Sequence, residues 1–338
     1  MKKIYIELVS ILSVVVYLLT GCSMNKDYSE QKLFFDTVIT INIYDAEDKA
    51  VMEDCLILCE KYEKMFSKTI EGSDVWKLNH AQGEWVEVSK DTIEVLGEAT
   101  QYSKLTDGMF DITIAPLTEL WHVKDNDGEL PSQEKIEKEK SHIDYQLIQI
   151  KGNKVRLKDK KAQIDLGGIA KGFIADKLGE LITSRGVTSA MINLGGNIKV
   201  IGSKKDGSAW NIGIQKPFGD RNEVLGSVKV RDKTVVSSGI YERYFEYEGK
   251  IYHHIIDKTT GAPSESDLEG VTIIGDSSTM ADALSTACVL LGSEKGMELI
   301  ENIDGVEAVF VKRDGSVIES GGVQLKNEMK KQNKKVLE

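Results

Sequence analysis

Hydrophobic and polar residues alternate through LFFDTVITINIY (33–44), the period-two pattern of a half-buried strand. The period then changes. Val51, Cys55, Leu58, Tyr62 and Phe66 recur at helical spacing and predict an amphipathic helix over roughly 47–66. A loop carrying SDVWKLN (73–79) follows, then a helix across about 90–105. Residues 124–142 are nearly all polar, which predicts a surface loop with a short helix whose charges form a solvated face. From Gln163 to Gly186 the order is strand, Gly-Gly turn, helix. Strands dominate from Ser189 to His254, punctuated by Gly-rich turns at 195–196, 206–207 and 248–249. A strand over Gly270–Ile274 leads into a helix from about Thr279 to Leu291, then a further helix and a hairpin through Asp314 and Gly315. There is no internal repeat of fixed period. Strands that follow one another as well as alternating with helices predict the α+β class: a mixed, largely antiparallel sheet with packed helices.

The N-terminus reads differently from the rest. Lys2 and Lys3 precede an apolar run from Leu8 to Leu19, and small residues follow in Leu19-Thr20-Gly21-Cys22, as in a secretory signal peptide. Glu7, and a run shorter than the ~18 residues a membrane span needs, argue against a transmembrane helix. LTGC resembles a bacterial lipobox, so residues 1–21 are expected to be removed and Cys22 to become the lipidated first residue. Two acyl chains suffice to hold a protein on a membrane where one is marginal. The expected organisation is a linker over 22–32, one domain over 33–322 and a polar, basic tail over 323–338, anchored on the extracytoplasmic face of the cell membrane.

Composition narrows the function classes. A formal charge of −11 excludes a general nucleic-acid binder, which needs a basic field over the phosphates. Four cysteines in 338 residues exclude a disulfide-stapled scaffold. With Cys22 assigned to lipid, Cys55, Cys59 and Cys288 all sit among apolar neighbours and read as small core hydrophobes.

Three segments carry candidate chemistry. In IDLGGIAKGFIADKLGELI (164–182), Gly167 and Gly168 open a helix with Lys171 in its first turn. Free amide N–H groups and a lysine at a helix N-terminus form an anion site suited to phosphate; the plainer reading is a tight turn with a solvated lysine. The segment is neither a Walker loop nor G-x-G-x-x-G, since Phe173 follows Gly172 and Ile169 replaces a glycine. In TIIGDSSTMADALSTACVLLG (272–292), Asp282 and Thr286 are four apart and share one helix face. A carboxylate and a hydroxyl so placed offer hard oxygen ligands for Mg²⁺; alternatively Asp282 complements the helix dipole and Thr286 bonds back to a carbonyl. In YHHIIDKTTGAP (252–263), His253 and His254 project to opposite faces of a strand, so at most one can enter a given pocket.

Taken in chain order these segments resemble the ApbE family, the FAD:protein FMN transferases. The resemblance runs from about Phe35 to Ile318. It rests on FFDTVITI (34–41), SDVWKLN (73–79), TDGMFDITIAPLTELW (106–121), DLGGIAKGFIADKL (165–178), INLGGNI (192–198), SSGIYERYF (237–245), HIIDKTTGAP (254–263) and ADALSTA (281–287). Two positions depart from the family pattern: Lys258 stands where proline is usual, and Phe35-Asp36-Thr37 replaces Met-Gly-Thr.

The resemblance implies a set of roles. Asp282, Thr286 and the Gly168 carbonyl fall on the Mg²⁺ ligands, and Lys171 on the lysine near the FAD phosphates. Asn79, Ser238, Gly239 and Arg243 lie in flavin- or adenosine-contacting segments. His254 opens the H-x-x-D motif and is the implied catalytic base. The implied reaction moves FMN from FAD to a Ser or Thr hydroxyl of an acceptor protein and releases AMP. Implied acceptors are redox subunits of Rnf or sodium-translocating quinone reductase type. An FAD pyrophosphatase releasing FMN and AMP, or a non-catalytic flavin-binding lipoprotein, are the alternatives.

Overall fold

The computed structural model describes residues 26–126, 128–220 and 223–326. The signal segment, Cys22 and residues 327–338 of the tail lie outside the described residues. The alternation over 33–44 belongs to two strands, not one. β1 (Lys26–Phe34) and β2 (Thr37–Ala46) form a hairpin turned by Phe35 and Asp36, whose φ angles are 54° and 57°. Two successive left-handed residues make the tight turn whose twist suits a two-residue hairpin. The turn shifts the inward-facing positions from even (Tyr28, Glu30, Phe34) to odd (Ile39, Ile41, Ile43), but β1 is so largely exposed that its residues carry too little alternation to show the reversal.

A second correction concerns SDVWKLN, which is helical rather than a loop. After α1 (Ala50–Phe66), α2 (Asp74–His80) is started by Ser73, whose hydroxyl accepts from Trp76 N at 2.9 Å. Only Val75, Leu78 and Asn79 are buried, too few positions to establish a period. α3 (Lys90–Leu105) occupies the expected span. α4 (Ala115–Trp121) and α5 (Gln133–Lys140) follow, α5 being the short helix of the polar insert, with its one apolar residue Ile136 turned inward. A small sheet of β3 (Val86–Glu87), β4 (Ile148–Lys151) and β5 (Lys154–Leu157) lies beside them. The strand expected before the Gly-Gly turn is only a bridge, Gln163 with Ile114.

The main sheet has eight strands in the order β1-β2-β6-β7-β10-β15-β16-β17, with every neighbouring pair antiparallel. It includes β6 (Ser189–Leu194), β7 (Asn197–Gly202), β10 (Thr234–Gly239), β15 (Leu268–Gly275), β16 (Glu307–Lys312) and β17 (Val317–Glu319). The α+β expectation holds, and the sheet is more uniformly antiparallel than the sequence suggested. One face carries α6 (Ala170–Ser184) and α7 (Ser278–Glu301), the latter kinked at Gly292, where φ is 80°. The other face is covered by the hairpin of β8 (Trp210–Gln215) and β9 (Val224–Val230). Side-chain alternation divides the strands between these layers. On β7, Ile198 and Val200 pack under the β8–β9 hairpin, whereas Asn197 and Lys199 bond to groups on the helix side. Outside the sheet, β11 (Tyr244–Tyr247) pairs with β12 (Lys250–His253), and β13 (Ile256–Asp257) with β14 (Ala262–Pro263). Among the described residues, no helix is long and apolar enough to cross a membrane.

Candidate active site

The N-termini of α6 and α7 meet, and each helix caps the other. Asp176 of α6 accepts Ser278 N at 3.0 Å and Thr279 N at 2.9 Å, satisfying donors that the first turn of α7 leaves free. Asp282 of α7 returns the arrangement by accepting Gly172 N at 2.8 Å. Gly172 permits the approach: a Cβ there would stand 2.2 Å from the Ser278 carbonyl oxygen. Asp176 is a functional residue that the sequence reading passed over, because its partners lie about a hundred positions away.

This capping arrangement assembles an oxygen-lined site. The Gly172 N–H goes to Asp282 and not to the carbonyl four residues earlier, so among the described residues the Gly168 carbonyl has no main-chain donor. A methyl group at Gly168 would lie 3.3 Å from Thr286 Oγ1, so the Gly-Gly turn rests directly on the helix face that carries Asp282 and Thr286. Asp282 is 3% exposed; burial pushes its carboxyl above the usual range, while Lys171 and the Gly172 N–H pull it down. A buried carboxylate raised in this way gains from a nearby cation. One carboxylate, one hydroxyl and one carbonyl are hard oxygens, the donor set that fits Mg²⁺ with water and phosphate oxygens completing it. Among the described residues no group of three or more His, Cys, Asp or Glu is placed to hold a metal ion.

Lys171, in the first turn of α6, reaches toward the Gly195 carbonyl at 3.4 Å. Gly195 has φ 63°, and a Cβ on it would collide with Thr37 Oγ1 at 2.4 Å. The segments around Thr37, Gly195 and Lys171, distant in sequence, therefore converge on one place. Asp165 stiffens the turn before them: its carboxylate accepts Gly167 N at 2.8 Å and pairs with Lys68 at 3.0 Å.

The two histidines have different employment. His253 is 1% exposed, donates from Nε2 to Ser264 O at 2.8 Å and accepts Ile255 N at Nδ1, 3.3 Å. Both of its nitrogens are thus occupied. His254 uses only Nδ1, 3.2 Å from the Arg243 carbonyl. A carbonyl only accepts, so Nδ1 carries the proton and Nε2 of the neutral ring presents a lone pair. Burial pulls the His254 imidazole down to about 4, and the positive charges of Arg243, His253 and Lys171 act in the same direction, while its bond to the Arg243 carbonyl opposes them. His254 is therefore neutral at ordinary pH and close enough to Lys171 to feel its charge.

The remaining implied contacts fare unevenly. Asn79 holds Ile164, donating to its carbonyl at 2.9 Å and accepting its N–H at 2.7 Å. It thereby fixes the segment leading to the Gly-Gly turn, with one amide hydrogen and one oxygen lone pair still available. Ser238 shares a hydrogen bond with Ser285 at 2.7 Å, and Ser285 donates to the Asp282 carbonyl at 2.8 Å, so Ser238 adjoins the acidic helix face. Gly239 lies under the Tyr241 ring, where a Cβ would be 2.2 Å away. Arg243 is exposed and makes no ion pair among the described residues. Cys55, Cys59 and Cys288 are fully buried, and burial pushes each thiol up to about 12, as expected of inert core cysteines.

Known proteins resemble this chain in sequence and fold. Residues 35–310 match the model of the ApbE family. The chain is 33% identical over 323 residues to the FAD:protein FMN transferase of Treponema pallidum, covering 90% of this chain and 89% of that protein. It is 32% identical over 307 residues to that of Klebsiella pneumoniae, covering 90% and 95%. Among solved structures it superposes on the ApbE protein of Thermotoga maritima with a TM-score of 0.81 at 32% identity, covering 88% and 97% of the two chains. The flavin transferase ApbE of Vibrio cholerae superposes with a TM-score of 0.78 at 25% identity, covering 91% and 99%.

Proposed function

The chain belongs to the ApbE family, and from that membership we propose that it is an FAD:protein FMN transferase that moves FMN from FAD to a Ser or Thr hydroxyl of an acceptor protein and releases AMP. The observation that carries the reading is the assembly of the Asp282, Thr286 and Gly168 oxygens at the N-terminal turn of α6 that carries Lys171; His254, whose Nδ1 is held by the Arg243 carbonyl, is near enough to Lys171 to feel its charge. In the proposed reaction, His254 Nε2 takes the proton of the acceptor hydroxyl as its oxygen forms a bond to the phosphorus on the riboflavin side of FAD. The bond from that phosphorus to the bridging oxygen breaks, and the electron pair leaves with AMP. Lys171, aided by the positive end of the α6 dipole, holds the phosphate oxygens and stabilises the charge that builds on them. Mg²⁺, when bound by Asp282, Thr286 and the Gly168 carbonyl, supplies further positive charge beside the pyrophosphate.

The test is incubation with FAD, Mg²⁺ and a candidate acceptor, followed by in-gel flavin fluorescence and measurement of AMP. Free FMN and AMP without a labelled acceptor would favour the pyrophosphatase reading instead. The proposed acceptors are extracytoplasmic redox subunits of Rnf or sodium-translocating quinone reductase type, and a lipid on Cys22 would hold the enzyme on the membrane face beside them. Cys22→Ser is then expected to move the protein out of the membrane fraction or to leave its signal segment uncut; unchanged retention with normal maturation would point to another attachment.

The enzyme is not expected to label itself. Residues 257–263 resemble a D-x-x-[ST]-G-A-[ST] acceptor sequence, but Pro263 stands at the acceptor position and has no hydroxyl. It is also buried and paired with Ile256 across the β13–β14 bridge. Mass spectrometry of the tryptic peptide containing Pro263 after incubation with FAD should find no added FMN.

A further inference from the structure

Lys258, the residue that departs from the family pattern, makes a contact that the sequence did not disclose. Its Nζ lies 2.8 Å from Asp111 Oδ2, and the Asp111 side chain is wholly buried. The other acceptor sites of Asp111 are taken by Thr113 N at 2.9 Å, Thr113 Oγ1 at 2.7 Å and Tyr145 N at 3.0 Å. Lys258 is its only ion-pair partner among the described residues. The ammonium passes Gly108, where φ is 77° and a Cβ would stand 2.9 Å from Nζ, so glycine there serves both the turn and the passage. Asp111 adjoins Phe110, whose ring would be 3.2 Å from a methyl at Gly168, the residue against Thr286. The turn that begins three residues after His254 is thereby fastened to the loop that backs the phosphate- and cation-binding side.

We propose that Lys258 is a positioning residue of the transfer reaction: its ion pair with Asp111 fixes the turn following His254 against the Phe110 loop, and so sets where His254 stands relative to Lys171, Gly168 and Thr286. Where the family pattern has a proline, which stiffens a turn through its own ring, this chain uses a tether across two loops. The inference rests on the proposed transfer reaction for its kinetic consequence, but not for its structural one.

The experiment has a structural arm and a kinetic arm, both on the full-length protein. In the structural arm, the imidazole nitrogen resonances of His254, assigned by their loss in His254→Ala, are compared between wild type and Lys258→Met. Lys258→Cys alkylated with bromoethylamine restores an ammonium at nearly the same reach, and the buried Cys55, Cys59 and Cys288 are poor targets for the reagent. The tether predicts that Lys258→Met shifts the His254 resonances and that aminoethylation restores them. In the kinetic arm, Lys258→Met should lower turnover at saturating FAD by up to ~10²-fold, the scale of an ångström's misplacement, with little change in FAD affinity. The same substitution should cost almost nothing further in a His254→Ala background, because it acts through that residue. Lys258→Met combined with Asp111→Asn removes both charges and guards against misfolding from an unpaired carboxylate: its thermal midpoint should approach wild type while its turnover stays low. Unmoved His254 resonances, or a turnover loss that persists undiminished in His254→Ala, would overturn the proposal. Resonances that shift in Lys258→Met while the wild-type protein transfers no FMN would sustain the tether and defeat the proposed reaction.

Discussion

Asp282→Ala is expected to lower FMN transfer by on the order of 10³-fold or more, the rate equivalent of several kcal/mol of lost charge stabilisation. Asp282 is the only formal charge among the three proposed Mg²⁺ ligands, and it is buried where a cation's charge is weakly screened. It also accepts the Gly172 N–H, so alanine should cost about 1 kcal/mol or more of stability through the lost cap. Asp282→Asn separates the two roles. The amide oxygen can still accept from Gly172 while the charge is gone, so the thermal midpoint should be kept and transfer should still collapse. Thr286→Val removes a neutral ligand and should hurt less, by about tenfold, the effect of some 1.4 kcal/mol. The measurements are transfer rate against Mg²⁺ concentration and a melting curve for each variant. Full wild-type activity in excess EDTA would remove the cation from the reaction.

The elements most legible in the sequence were those with a long, uninterrupted period, such as α3 and the first half of α7. Asp282 and Thr286 were legible as a pair because helical spacing alone puts them on one face. What escaped was of two kinds. Where a strand is largely exposed, as β1 is before the turn at Phe35 and Asp36, its residues carry too little alternation for the reversal to register. Where a side chain answered a distant backbone, the local pattern had nothing to show: Asp176 caps a helix about a hundred residues on, Asn79 clamps Ile164, and Lys258 finds Asp111. Asn79 is instructive, since the shared segment implied a flavin contact and the same carboxamide also clamps the main chain at Ile164. The shared segments mark the neighbourhood of the site, and only hydrogen-bond geometry distinguishes the residues that face it from those that support it.

That distinction is sharpest for the adjacent histidines. His254→Ala is expected to lower transfer by ~10²–10⁴-fold, the usual loss for a general base, with FAD affinity nearly unchanged because Lys171 and the positive end of α6 remain. His253→Ala should keep turnover within a few-fold. It removes the bonds to Ser264 and Ile255 and should instead cost about 1–3 kcal/mol of stability, since buried partners are left unpaired. The pH profile gives an independent check. Both imidazoles are lowered from the usual histidine value of 6.5 to about 4, so the unfolded chain binds more protons across that interval and stability should fall as pH drops through it. For the free enzyme, base catalysis needs neutral His254, so kcat/KM should rise with pH through about 4 and then level. Bound FAD brings pyrophosphate anions beside the imidazole and favours its protonated form, so the acid limb of kcat should lie at higher pH than that of kcat/KM. His254→Ala should lose the limb from both profiles, and His253→Ala should keep it. If His254→Ala retains near-normal turnover, or if His253→Ala is the variant that loses both rate and acid limb while its melting point holds, the base has been assigned to the wrong histidine.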